Sequence, residues 1–320
     1  MINGMPFFGA ADMSFHGPGS DWDVLFPTYI TRDVKPLPCH SHNDYWHRLP
    51  LYEALYYGCD SIEADVWLTG SNETTELHIG HTMASLRPER TLRMLYLDPL
   101  LALLDAMNPV QNTTSFNGVF ETAPPHSLVL TIDIKNNPAL AFSSVSAHLQ
   151  PFREKGYLTY HNGTALIPRP LTIVATGSTP FASILAQNAS NRDILFDAPL
   201  ADLHDQDSTT TSTSNPPLTE DYDPTNSLYA SASLRQTLGT RWPLAFFPWT
   251  SSTSQLERVR SATRAAHAQG LKVRWWDTPA WPRSWREKVW RVLVEEGADV
   301  LNVDDLKAAR DWEGWGRLIG

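Results

Sequence analysis

The sequence predicts an α/β fold in which eight parallel strands close into a (β/α)8 barrel. Three observations point there. Strand-like apolar runs alternate with amphipathic helical ones along most of the chain. Polar and charged residues cluster at the ends of several of those strands, where a barrel gathers its working side chains. The 320 residues, 42% hydrophobic, are enough for one large core, and barrels of this kind commonly fill such a length as a single domain.

Taken in order, residues 1–35 carry scattered Gly and Phe without a period and read as an N-terminal arm; 36–320 read as the barrel. A first strand at 36–40 ends in the polar run His40-Ser41-His42-Asn43-Asp44-Tyr45-Trp46, and a short helix follows at 50–57. The second strand, 60–67, alternates its faces: Glu63 and Asp65 point one way, Ile62, Ala64 and Val66 the other. A third, 76–80, leads to His81. The fourth, 127–135, again alternates, with Asp133 and Lys135 opposite Ile132 and Ile134. Strands at 171–176, 193–197, 271–276 and 299–303 complete eight, and Leu228 to Ser233 is an alternative to 193–197 as the sixth. Helices are expected at 98–107, 138–149, 180–188, 251–269 and 282–296. Residues 203–227 hold the low-complexity tract Asp207 to Pro217 and read as a mobile insertion on the catalytic rim. No internal repeat is visible.

A net charge of −10, from 35 acidic and 25 basic residues, argues against a nucleic-acid partner. No apolar run reaches the roughly 18–20 residues of a membrane span. Met1 to Ser20 lacks the charged-then-apolar pattern of a signal peptide, so a soluble chain is expected. The two cysteines, Cys39 and Cys59, fall at a strand end and a strand start, which places them toward opposite ends of the sheet and predicts no disulfide. Four Asn-x-Ser/Thr triplets begin at Asn72, Asn112, Asn162 and Asn188. Roughly one or two would arise by chance, so a secretory route stays open and the compartment undecided.

The chemistry lies in the polar strand ends. Two carboxylates side by side on a covered face repel each other and lose hydration, which costs several kcal/mol unless a cation sits between them. Glu63, Asp65 and Asp133 are hard oxygen donors, a set that suits one Mg²⁺ or Ca²⁺ rather than zinc. His40 and His81, from different strands, can flank a reacting centre as base and acid. Lys135 supplies a fixed positive charge of the kind that steadies a phosphoryl oxygen. Together these groups match in-line attack on a phosphodiester.

The order His40, Glu63-Ala64-Asp65, His81, Asp133-Ile134-Lys135 resembles the phospholipase-C-like phosphodiesterase superfamily, which includes glycerophosphodiester phosphodiesterases and sphingomyelinase-D-type phospholipases. The runs His40 to Trp46, Ser61 to Leu68, Arg90 to Leu100, Trp276 to Pro279 and Leu301 to Leu306 are similar to the fungal family named for altered inheritance of mitochondria, protein six. The resemblance implies a distorted TIM barrel, one divalent metal on Glu63, Asp65 and Asp133, and His40 and His81 as the acid/base pair. It also implies a glycerophosphodiester or (lyso)phospholipid-type substrate, cleaved as a phosphoric diester hydrolase or a phospholipase-D-type lyase. In the lyase route a neighbouring substrate hydroxyl attacks phosphorus to give a cyclic phosphate. The chain departs from the spider sphingomyelinase-D branch in having no cysteine after His81.

Around this centre Asn43 is placed to orient His40 or touch phosphate, and Arg274 and Trp276 share a strand face suited to a head group. Asp304, ending the last strand, is read as support from behind. Trp46, Trp276 and Trp281 could line an entrance for an alkyl or choline-like group, which leaves room for peripheral membrane contact. His42, His47 and His78 read as structural histidines. Two rivals stand beside this reading. His40-Ser41-His42 also outlines a zinc amidohydrolase, but that site needs histidines on the fifth and sixth strands, and 171–176 and 193–197 contain none. The other rival is a barrel that binds a phosphorylated ligand without turning it over.

Overall fold

The computed structural model describes residues 30–70, 75–109, 115–203, 222–239 and 253–318. Its strands are β1 (Leu37–Ser41), β2 (Cys59–Thr69), β3 (Glu76–Ile79), β4 (Leu128–Ile134), the short pair β5 (Tyr160–His161) and β6 (Leu166–Ile167), β7 (Leu171–Gly177), β8 (Ile194–Pro199), β9 (Ser227–Ser233), β10 (Lys272–Trp276) and β11 (Val300–Val303). The ring runs β1-β2-β4-β7-β8-β9-β10-β11 and closes where β11 meets β1. Every pairing in it is parallel. The chain is therefore a (β/α)8 barrel.

The helices are α1 (Pro50–Tyr57), α2 (Asp98–Met107), α3 (Pro138–His148), α4 (Gln150–Glu154), α5 (Phe181–Leu185), α6 (Leu234–Leu238), α7 (Thr253–Ala268), α8 (Arg283–Glu295) and α9 (Leu306–Arg310). Proline opens the first turn of α1, α2 and α3, where its missing N–H costs nothing. In α8 the buried Arg286, Val289, Trp290, Leu293 and Val294 recur at helical spacing and turn one face onto the barrel.

Burial divides the strand faces. Ile62, Ala64, Val66, Leu130, Ile132 and Ile134 are buried in the main apolar core between sheet and helices. A small separate cluster, Val174, Tyr229 and Val300, packs apart from it, inside the ring. Leu195, beside Val174, is buried there too, but many other buried positions of those inner faces are polar, among them Ser61, Glu63, Thr131, Asp197, Arg274 and Asn302. A polar barrel interior has to be fully hydrogen-bonded or used.

Three expectations are corrected. Residues 76–80 form β3, but β3 is antiparallel to β2 and lies outside the ring. Only six residues, 70–75, separate the two strands, whereas a parallel crossover needs about a dozen or more. In compensation, β8 and β9 are both barrel strands, so the run at 228–233 adds to the one at 193–197 instead of replacing it.

The third correction is the Cys39–Cys59 disulfide. Leu37 of β1 lies beside Cys59 of β2, and a register shift before His40 brings the two cysteine Cα atoms to 4.8 Å. Placing Cys39 at a strand end hid this: β1 runs on to Ser41, so Cys39 is mid-strand, and β2 begins level with Leu37 at the start of β1. Of the insertion expected at 203–227, residues 204–221 lie outside the described residues. Leu203 and Tyr222 at its edges are buried, Tyr222 against Phe181 and Phe196. Of the arm, 1–29 lie outside them too; Thr31 is buried and Val34 packs on the core.

Candidate active site

The register of two neighbouring strands builds an acidic centre. Asp65 of β2 stands directly beside Asp133 of β4, and Glu63 shares the inner face of β2 one pleat below. One carboxylate oxygen from each of Glu63, Asp65 and Asp133 lies within 4.8 Å of the others. This triad could hold a metal ion. Lys135, just past the end of β4, donates to Asp133 Oδ2 at 2.6 Å and reaches Asp65 Oδ2 at 3.1 Å.

Burial sets the charges. Burial and the neighbouring Glu63 carboxylate push Asp65 up to about 7. Burial also raises Asp133, with Lys135 acting against it. Glu63 goes the other way. Burial would raise it, but His40, His42 and Arg274 hold its carboxyl well below the usual range. Burial opposes the Lys135 charge, yet Asp133 and Asp65 more than offset that and raise it. The donor set fits a hard dication: three carboxylate oxygens, those of Asp65 and Asp133 reluctant to ionise until a cation arrives.

Two imidazoles descend from β1 on the Glu63 side. His40 is 0% exposed. Its Nδ1 lies 2.7 Å from Ser61 Oγ, which accepts from the Tyr229 hydroxyl at 3.2 Å. Its Nε2 faces Glu63 Oε2 at 3.7 Å and has no hydrogen bond of its own. Burial lowers His40 to about 4, aided by Arg274, so it is neutral near pH 7. His42, two residues on, places Nε2 3.6 Å from the same Glu63 oxygen and donates from Nδ1 to Asp304 at 2.7 Å. Burial pulls His42 down, but the Asp304 and Glu63 carboxylates win and raise it.

His81 approaches from the opposite side. It follows β3, which doubles back along β2 and so delivers the chain to the rim; Gly80 N–H donates to the Asp65 carbonyl at 3.2 Å. His81 Nδ1 is 3.6 Å from Asp65 Oδ2, and its ring, 60% exposed, stacks on Tyr45 with centroids 5.0 Å apart. Asn43, in left-handed backbone with φ 57°, accepts from the Tyr45 hydroxyl at 2.6 Å and donates to Asp304 at 2.8 Å. Asn43 thus holds the strand end that carries both β1 histidines.

Arg274 sits lower. It is buried, and its guanidinium donates to Ser231, Asn302 and Asp197 at 3.0, 2.9 and 2.8 Å. Those bonds place it in the barrel floor beneath the carboxylates, not at the mouth, where a head group would meet it. Trp276, at the end of β10, is exposed on the rim. His47 pairs with Glu53 and His78 with Thr69, away from the triad. His42, read from sequence as structural, lies 3.6 Å from Glu63 beside the triad. Its signal was available, since the parity that pairs Glu63 with Asp65 also pairs His40 with His42.

Acid triad, lysine and flanking imidazoles thus meet on the C-terminal rim of a parallel barrel, the end at which enzymes of this fold carry their active sites. Comparison with known proteins narrows this. The model of the AIM6-like phosphodiesterase domain matches residues 28–197, which include His40, Glu63, Asp65, His81, Asp133 and Lys135. The chain is 38% identical over 297 residues to the altered inheritance of mitochondria protein 6 homolog of Arthroderma benhamiae, covering 90% of this chain and 87% of that one. Identity to altered inheritance of mitochondria protein 6 is 36% over 292 residues for Eremothecium gossypii, covering 87% of this chain and 70% of that one. For Saccharomyces cerevisiae it is 33% over 296 residues, covering 87% and 71%. The chain belongs to the AIM6-like phosphodiesterase family.

Proposed function

We propose that the chain cleaves a glycerophosphodiester or (lyso)phospholipid-type phosphodiester with a divalent cation and histidine acid/base catalysis. The observation that carries this reading is the convergence of Glu63, Asp65 and Asp133 within 4.8 Å, with Lys135 bonded to two of them. Those carboxylates would hold Mg²⁺ or Ca²⁺, which when bound supplies Lewis-acid charge to a phosphoryl oxygen. Lys135 adds a second fixed positive charge on the same side. His81 and His40 handle protons. One takes the proton of the attacking hydroxyl, from water or from the substrate's own neighbouring carbon, and the other gives a proton to the leaving oxygen. Attack by the substrate's hydroxyl would yield a cyclic phosphate and make the enzyme a lyase.

One observation favours a variant of this scheme. His40 is fully buried, whereas the His42 side chain is 24% exposed and oriented by Asp304. In that variant His42 meets the substrate and His40 positions Glu63 from below.

The test is ³¹P NMR on lysophospholipids, sphingomyelin and glycerophosphodiesters, before and after chelation. One substrate should give a new phosphorus resonance, EDTA should abolish it, and Mg²⁺ or Ca²⁺ should restore it. Full turnover after exhaustive chelation would remove the metal from the account. No turnover of any diester by the metal-loaded chain would favour a barrel that only binds.

A further inference from the structure

Two of the Asn-x-Ser/Thr triplets, Asn162-Gly163-Thr164 and Asn188-Ala189-Ser190, take no part in the site. Asn162 opens the turn between the antiparallel strands β5 and β6, and Asn188 opens the turn between α5 and β8. Both turns precede barrel strands, β7 and β8. They therefore lie toward the N-terminal end of the barrel, opposite the rim that carries the carboxylates. Main-chain bonds zip the two together: His161 N–H donates to the Arg192 carbonyl at 2.8 Å, and Arg192 N–H returns to His161 at 3.1 Å.

Each asparagine is exposed and bent into an Asx turn. Asn162 Oδ1 accepts from the N–H groups of Thr164 and Ala165 at 2.9 and 2.8 Å. Asn188 Oδ1 accepts from Ser190 N–H at 3.0 Å. In both, the carbonyl oxygen is engaged while Nδ2, the atom a sugar would bond, makes no hydrogen bond among the described residues.

An independent observation concerns compartment. The chain's two cysteines are joined to each other, both fully buried and one residue before His40 in the case of Cys39. A disulfide persists where thiols are not kept reduced, and that is also where N-linked sugars are added.

We propose that Asn162 and Asn188 are N-glycosylated, in a chain that matures through an oxidising, glycosylating compartment. The asparagine Nδ2 attacks the anomeric carbon of an oligosaccharide carried on a polyisoprenyl pyrophosphate. A C–N bond forms as the C–O bond to pyrophosphate breaks, Nδ2 releases one proton, and the polyisoprenyl pyrophosphate departs. Placed at the base, the glycans leave the catalytic mouth clear.

The experiment uses the full chain expressed from its own gene in its own cells. Peptide-N-glycosidase in heavy-oxygen water should convert both asparagines to labelled aspartates. N162Q and N188Q should each remove one glycan's shift in the intact mass, and the double variant both, whatever is carried at Asn72 and Asn112. Gln preserves size and polarity at an exposed turn, so the variants should fold, and unchanged circular dichroism would show it. Peptides of the wild-type chain recovered with Asn162 and Asn188 unmodified overturn the proposal. So do free Cys39 and Cys59 thiols, trapped by alkylation without reduction.

Discussion

At the scale of single residues, three imidazoles surround one triad of acids, and burial separates their roles. A group that exchanges protons with substrate must be reachable, yet His40 lies under the centre while His42 and His81 open onto it. His81→Ala should lower kcat roughly 10²–10⁴-fold, the usual contribution of a positioned acid or base, with an unchanged circular dichroism spectrum. Comparing His40→Ala with His42→Ala then decides which partner acts. If His40 is the proton carrier, H40A loses as much as H81A while H42A keeps most turnover; the reverse assigns the task to His42. Turnover surviving in all three variants would end the acid/base scheme.

Asp65 supports a second prediction at this scale. Its carboxyl, pushed up to about 7 by burial and Glu63, must lose its proton for a dication to bind. Above about pH 7 the ligand is already ionised; below it each bound cation expels a proton. Cation affinity should therefore be flat on the alkaline side and fall roughly tenfold per pH unit on the acid side. Calorimetric titration with Mg²⁺ or Ca²⁺ in buffers of different ionisation enthalpy reads both the affinity and the released proton. An affinity constant from pH 5 to 8 would contradict the assignment.

At the scale of elements, the site depends on how strands end. Gly177 closes β7 with φ 68°, beside Ile134 and one residue past the partner of Asp133 on the neighbouring strand. A Cβ there would fall 1.9 Å from Asp133 Oδ1 and 2.8 Å from the Ile134 carbonyl. Gly177→Ala should cost about 1–3 kcal/mol of stability through the left-handed backbone, and should also weaken cation binding by pushing the carboxylate aside. A lowered Tm with native cation affinity would mean that Asp133 is not a ligand. The element scale also shows how far the sequence could be read. Alternation located β2 and β4 and put Glu63, Asp65 and Asp133 on inner faces, because period two is written directly in residue order. Strand direction is not written there. The short run at 76–79 carries the same pattern whether parallel or antiparallel, and only the brevity of 70–75 distinguishes the two. The disulfide was hidden for a related reason, since it depends on a register shift between β1 and β2 that no single strand's pattern records.

At the scale of the whole molecule, closure of the ring was legible from alternating strands and helices. What the exposed surface does was legible only in part, because exposure of a tryptophan depends on which loop it ends up in. Trp46 follows β1 and is 81% exposed; Trp281 follows β10 and is 80% exposed. Met83 and Leu140, also exposed, follow β3 and β4. These segments, Leu140 in the first turn of α3, follow strand ends on the rim that holds the carboxylates, and indole favours the boundary between apolar and wet phases. Net charge is −10, so an anionic surface would repel the chain as its tryptophans approached. If the substrate is presented in a lipid surface, that surface should be zwitterionic. Trp46→Ala with Trp281→Ala should then weaken binding to phosphatidylcholine vesicles by roughly fivefold to tenfold, from the apolar area no longer buried. Turnover of a short-chain, freely dissolved diester should not change. Adding phosphatidylserine should weaken vesicle binding of the unmodified chain at low salt, and 0.5 M NaCl should relieve most of that loss, at roughly one-half the Debye length of physiological salt. Equal loss of turnover on vesicles and on the dissolved substrate would instead assign the two indoles to the pocket wall, and tighter binding to the anionic vesicles would rule out the charge argument.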